Sequence, residues 1–247
     1  MAIRNVALKT KSPEAPSRGG AGGGIELYLK RIFALMFGAV AVTALASYIT
    51  MATPLWTMLF TQTGLSALYY ILLFGGLALA IWAQVRAFSF KPSTGGLMLF
   101  LYAILTGIVM TPLLLVAITS NPYTILSAFV IAAVMFACMA LFGYKTVKDL
   151  SFLGIFLFMG MIGLILVGLA SFIWPAIVGG TFGTIVCFIG VLVFALFTAY
   201  DMQNLKRAYA VLGDGTQKNQ LAVLGALHLY ISFIAMFQYL LSLLNRN

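Results

Sequence analysis

Seven long apolar runs fill most of this 247-residue chain, and they limit its possible folds more than any other feature. They are Ile32–Met51, Leu68–Val85, Gly96–Ala117, Thr124–Phe142, Phe152–Ile173, Thr181–Tyr200 and Leu221–Leu244. A helix needs about 20 apolar residues to cross the hydrocarbon of a bilayer, and every run is of that order. Lipid offers backbone amides no hydrogen-bond partner, so each run has to satisfy its own backbone as a helix. A transmembrane β-barrel would show short alternating strands instead. The expected fold is therefore an all-α integral membrane protein with seven transmembrane helices. Turn chemistry marks the gaps at Thr53-Pro54, Lys91-Pro92, Asn121-Pro122, Trp174-Pro175 and Gly213-Asp214-Gly215.

Charge supports this count. Soluble domains carry about 25% charged residues, whereas this chain has 8%, with 63% hydrophobic residues. Its net charge of +9 is no nucleic-acid footprint, because the cations sit in the tail and the short gaps. Arg4, Lys9, Lys11, Arg18, Lys30 and Arg31 precede the first run. Gaps one, three and five hold no Lys or Arg, whereas gap two holds Arg86 and Lys91. Gap four holds Lys145 and Lys148, and gap six holds Lys206, Arg207 and Lys218. Only Arg246 falls on the opposite side. By the positive-inside rule this alternation predicts a cytoplasmic N-terminus and an outside C-terminus. Residues 1–24, with Pro13, Pro16 and a glycine-rich end, read as a disordered basic cytoplasmic tail. Residues 25–247 read as one seven-helix transmembrane domain whose main surroundings are the lipid bilayer.

The polar residues at membrane depth are the functional candidates. Asp201 is the only acidic residue that lies against a long apolar run, just inside the cytoplasmic end of the sixth. It is either an interfacial carboxylate paired with Lys206 or Arg207, or a partly buried group that binds a proton or a cation and gates the bundle. Arg86 ends the second run at a comparable depth and is either a positive-inside anchor or a partner for Asp201. On the seventh run His228, Ser232, Ala235, Tyr239 and Ser242 share one helix face. His228 is the sole histidine, either a hydrogen-bond partner for a neighbour or a group titrating near physiological pH. Small residues Ala39, Thr43 and Ser47 on the first run, and Ala133 and Ala137 on the fourth, suit close helix packing.

Enzyme chemistry is not expected. The chain carries no His-Glu-x-x-His zinc motif and no Gly-x-Ser-Gly nucleophile to accompany His228. A two-aspartate protease needs a second membrane aspartate, which is missing. The seventh run has no lysine for a retinal Schiff base. Cys138 and Cys187 lie within apolar runs as small packing residues, with no disulfide or metal spacing, so no cofactor is expected.

Several blocks together resemble the Bax inhibitor-1 family, the transmembrane Bax inhibitor motif proteins, in its bacterial form. They are Leu101 to Gly107 with Thr111-Pro112-Leu113, Phe142 to Ser151 with Phe158-Met159-Gly160, and Gly190 to Phe194 leading to Tyr200-Asp201. The resemblance spans about Leu27 to Leu244. It implies six helices around a central C-terminal seventh, a pH-sensitive calcium leak, and an aspartate pair on helices six and seven with an arginine on helix two. Asp201 matches the helix-six aspartate, and Arg86 is the match offered for the arginine. The helix-seven motif Leu-Tyr-Leu-Asp-Phe-Ile-Asn reads Leu229 to Ala235 here, with Ser232 in place of the aspartate and Ala235 in place of the asparagine. The expectation is a pH-influenced cation leak in a bacterial inner membrane, gated at Asp201, with Ser232 and His228 lining the helix-six/helix-seven interface. The alternative is a regulatory protein acting on a membrane-anchored AAA protease or another membrane protein, a role associated with some bacterial relatives.

Overall fold

The computed structural model describes residues 20–61, 64–86, 91–211 and 216–246. Residues 1–19 of the expected tail, and the whole Gly213-Asp214-Gly215 turn, lie outside the described residues. Seven helices follow in order: α1 (Gly20–Ala52), α2 (Ala67–Val85), α3 (Pro92–Ser120), α4 (Tyr123–Lys145), α5 (Ser151–Ile173), α6 (Gly180–Val211) and α7 (Thr216–Leu244). All seven are long and apolar enough to cross a membrane. Between α1 and α2 lie a 3₁₀ turn, Pro54–Leu59, and a two-residue antiparallel ladder, β1 (Phe60–Thr61) with β2 (Gly64–Leu65). Ser66 caps α2 by accepting from the Tyr69 backbone N–H at 3.3 Å.

Several helices outrun their apolar segments. α1 begins at Gly20 and α7 at Thr216, while α6 continues past Asp201 to Val211. Helical hydrogen bonding carries on through polar residues where the chain meets water, and hydropathy does not register this.

α7 is the axis of the bundle. Its most apolar 18-residue window is 72% buried, against 11 to 39% for the other helices. Phe233 of α7 meets Phe129 and Phe136 of α4 edge-on, with ring centroids 5.7 and 5.6 Å apart. The geometry of such edge contacts suits the aromatic quadrupole.

Small residues set the close crossings. Thr43 and Ser47 of α1 donate to the Ala103 and Gly107 carbonyls of α3, at 3.1 and 2.8 Å. A Cβ on Gly107 would lie 2.5 Å from the Thr43 carbonyl oxygen, so only glycine allows this approach. On α4 the buried stripe is Ala128, Ala132, Ala140 and Gly143. This corrects the expected pair: Ala133 is half-buried and Ala137 exposed, because α4 is turned differently about its axis. Gly143 lies against Ala199 of α6, where a Cβ would stand 2.1 Å from the Ala199 carbonyl oxygen. α2 and α5 are peripheral, each with 11% of its apolar window buried.

Candidate functional site

α6 and α7 run antiparallel along their length. Leu205 packs on Gly225 near one end and Tyr239 on Gly190 near the other. Between these contacts the register brings Asp201 and His228 together, with Oδ1 and Nδ1 4.0 Å apart. The carboxylate side chain is 14% exposed and the imidazole 34%, so both line a crevice rather than the sealed core. No hydrogen bond reaches the Asp201 carboxylate among the described residues. Behind it, the Gly143–Ala199 crossing leaves no room for α4 to shift toward it.

The other side of His228 is held by α2. Its Nε2 lies 3.2 Å from Oε1 of Gln84. Gln84 was not among the residues singled out by sequence, because a lone exposed amide at a helix end carries no pattern. Arg86, expected beside Asp201, instead caps the end of α2 and is exposed. It forms no ion pair with Asp201. Two residues along a helix turn a side chain by about 200°, so Gln84 and Arg86 point to opposite faces of α2.

Lys206 and Arg207 are also engaged elsewhere. Lys206 Nζ donates to the Tyr144 carbonyl at 2.9 Å. Arg207 Nη1 pairs with Asp149 Oδ1 at 2.8 Å and donates to Ser151 Oγ at 3.2 Å. The interfacial pairing offered for Asp201 is therefore not formed. Asp201 lies within α6 rather than near its end, because the helix continues to Val211.

Ser232 is buried, at 4% exposure, one helical turn along α7 from His228. The α6/α7 register puts it near the level of Thr198, which is also buried. Ala235 lines a cavity of about 500 Å³ between α2, α3, α5 and α7. Tyr69, Thr106, Ser171 and Gln238 supply its polar groups, and Ile231, next to Ser232, lies at its wall. A second cavity, about 420 Å³, lies on an adjoining side of α7, sharing Ile234 with the first and lined also by Thr43 and Ser47. Tyr230 touches the walls of both, edge-on to Tyr102 at 5.8 Å and bonded to Thr43 Oγ1 at 2.6 Å.

Gln203 is a further residue missed by sequence. Only 4% exposed, it accepts from the Leu150 backbone N–H at 2.9 Å and donates to the Lys148 carbonyl at 2.8 Å. It ties the α4–α5 connection to α6, two residues from Asp201. No group of three or more His, Cys, Asp or Glu side chains gathers to hold a metal among the described residues. Asp201 is the one carboxylate of the site, which makes it a sparse calcium ligand set. Cys138 is exposed and Cys187 buried, both as free thiols.

The comparisons with known proteins agree with this architecture. The family model described as "Inhibitor of apoptosis-promoting Bax1" matches residues 25–247. A protein of Caulobacter vibrioides is 35% identical over 74% of this chain and 72% of its own. The inner membrane protein YbhL of Escherichia coli is 32% identical over 88% of this chain and 91% of its own. A protein of Borreliella burgdorferi is 30% identical over 89% of this chain and 92% of its own. With six membrane-length helices packed about a central seventh, this chain belongs to the Bax inhibitor-1 family of membrane proteins.

Proposed function

We propose that this protein is a pH-responsive cation leak pathway, with calcium as the cation, in a bacterial inner membrane. The carrying observation is the Asp201 carboxylate, which has no hydrogen-bond donor among the described residues and lies 4.0 Å from His228 in a partly open crevice. An ionisable group at membrane depth is costly and is retained for function by default. Deprotonated, Asp201 offers a negative charge to a cation crossing the bundle. Protonated, it removes that charge and lets the crevice close around a neutral pair. Ser232 lines the same α6/α7 interface. The cavity of about 500 Å³, mainly apolar with Tyr69, Thr106, Ser171 and Gln238 among its few polar groups, lies farther along α7 toward its C-terminal end. The charge alternation puts the Asp201 end of the bundle toward the cytoplasm, with the C-terminus outside. No enzyme activity belongs to this reading.

The test is calcium flux into proteoliposomes between about pH 5 and 8, in the range where carboxylates and imidazoles exchange protons. Wild type should pass calcium with a clear pH dependence, and Asp201→Asn should flatten it. Unchanged flux and pH profile in Asp201→Asn would rule out Asp201 as the gate. Folded wild type that passes no cation would favour the regulatory reading instead. Co-purification of a membrane-anchored AAA protease, with and without residues 1–24, then tests that role.

A further inference from the structure

His228 has two ring nitrogens with different neighbours. Nε2 faces Gln84 Oε1 at 3.2 Å, and Nδ1 faces Asp201 Oδ1 at 4.0 Å. With the Gln84 amide oxygen turned toward the ring, as it stands here, the contact is a hydrogen bond when Nε2 carries the proton, because a carboxamide oxygen only accepts. A neutral ring then presents the bare Nδ1 lone pair toward the carboxylate. Two unprotonated acceptors facing each other repel, and neither has another partner among the described residues. One proton between them resolves this, carried either on Nδ1 or on Oδ1.

We infer that Gln84 is a positioning residue that holds His228 in its Nε2–H form, so that Asp201 and His228 face each other across one exchangeable proton. This deepens the leak-pathway reading and rests on Asp201 as its proton-responsive group. With Gln84 in place, losing the shared proton leaves two facing lone pairs and one net negative charge, a state relieved by a cation or by helix movement. Without Gln84, the ring is free to place its proton on Nδ1 and donate it to Asp201. The deprotonated carboxylate is then satisfied within the protein, and the switch loses its contrast between states.

Other charged and titratable groups near the pair form no ion pair with it among the described residues. α5 carries no titratable side chain. On α2, Arg86 is exposed, and at the start of α3, Lys91 lines a small cavity with Ala83 and Leu227. On α6, Tyr200 packs against Gly154 of α5, and Lys206 lies over the Tyr144 ring of α4. On α7, Lys218 lies over Tyr209, and Asn219 accepts from Arg31 of α1. Tyr230 is bonded to Thr43. Among the described residues, none comes within ion-pair distance of Asp201 or His228.

The sequence makes the test direct, because the chain has a single histidine. Full-length protein labelled with ¹⁵N-histidine in lipid bilayers gives one imidazole spectrum with no assignment problem. In wild type, Nε2 should stay protonated across about pH 5 to 8 while Nδ1 alone exchanges its proton. Gln84→Met removes the acceptor at similar volume and should populate the neutral Nδ1–H form. Gln84→Glu keeps an acceptor oxygen and should keep Nε2 protonated. A neutral wild-type ring protonated on Nδ1 would overturn the inference without any variant. A Gln84→Met spectrum identical to wild type would overturn it as well. The readout needs no ion flux, so failure of the leak-pathway reading in liposomes is distinguishable from failure of this assignment.

Discussion

Asp201 of α6 and His228 of α7 stand 4.0 Å apart although 27 residues separate them along the chain, 228 − 201. The antiparallel register of the last two helices creates this proximity. It gives the bundle a carboxylate–imidazole pair where the family motif would place two aspartates on the same helices. A pair of unlike groups shares a proton differently from two carboxylates, which repel when both ionise. The pH response expected here is accordingly that of one dominant proton.

Ser232→Asp should make that response steeper. The substitution returns a second carboxylate to α7, one helical turn from His228. Two carboxylates sharing a site titrate as a coupled unit. The slope of calcium flux against pH should rise from near one proton toward two. An unchanged slope in folded protein would mean that position 232 does not share the site with Asp201.

Gly143→Ala should destabilise the bundle where Gly163→Ala does not. A Cβ on Gly143 would stand 2.1 Å from a backbone oxygen of α6, whereas one on Gly163 would meet nothing within 4 Å. Overpacking of this kind costs about 1–3 kcal/mol. Alanine in an open helix interior gains up to about 1 kcal/mol over glycine. Thermal unfolding in detergent micelles should show a lower midpoint for Gly143→Ala and an equal or higher one for Gly163→Ala.

Tyr230→Phe should cost little, and Gln203→Leu more. Thr43 keeps its bonds to the Ala39 and Ala103 carbonyls, at 2.9 and 3.1 Å, after losing the Tyr230 hydroxyl. Side-chain hydrogen bonds between membrane helices are worth about 0.6 kcal/mol on average. Gln203→Leu strips partners from both the Leu150 N–H and the Lys148 carbonyl. Leaving such groups unpaired costs about 1–3 kcal/mol where they are buried. Hydrogen exchange at Leu150 should speed up in Gln203→Leu and stay at the wild-type rate in Tyr230→Phe.

Asp149 should contribute nothing to pH dependence in the physiological range. The Ser151 hydroxyl and backbone N–H, then the Arg207 guanidinium, hold its carboxyl down to about 2. The unfolded value is about 3.9. A lowered folded-state pKa means that its contribution is fully present above the unfolded value and is lost as pH falls through about 2. Asp149→Asn should therefore leave the flux profile between about pH 5 and 8 unchanged while weakening the Arg207 tie. A profile shifted in that range would place the pH sensor at the α4–α5 connection rather than at Asp201.

Much of the molecule was legible before any coordinates. All seven spans stood in hydropathy, and Ala39, Thr43 and Ser47 marked the face of α1 that meets α3. The limits appear where a property depends on rotation about a helix axis. Ala137 shares its periodicity with the α4 stripe but faces outward. Arg86 has the charge to pair with Asp201, yet Gln84 points the right way. Gln203 has no sequence signal, because a buried amide that holds a loop looks like any polar residue near a helix end.

By itself the sequence determined that this is a seven-helix membrane protein, and that one carboxylate and one imidazole lie toward the same end of the bundle. Those properties follow from the transfer energy of each segment into lipid, which is local and adds up along the chain. Only the tertiary structure decided which residues meet: His228 between Asp201 and Gln84, and Lys206 and Arg207 drawn off to α4 and the α4–α5 connection. Such contacts depend on how helices rotate and cross, and those angles are set by close packing of small residues from distant parts of the chain.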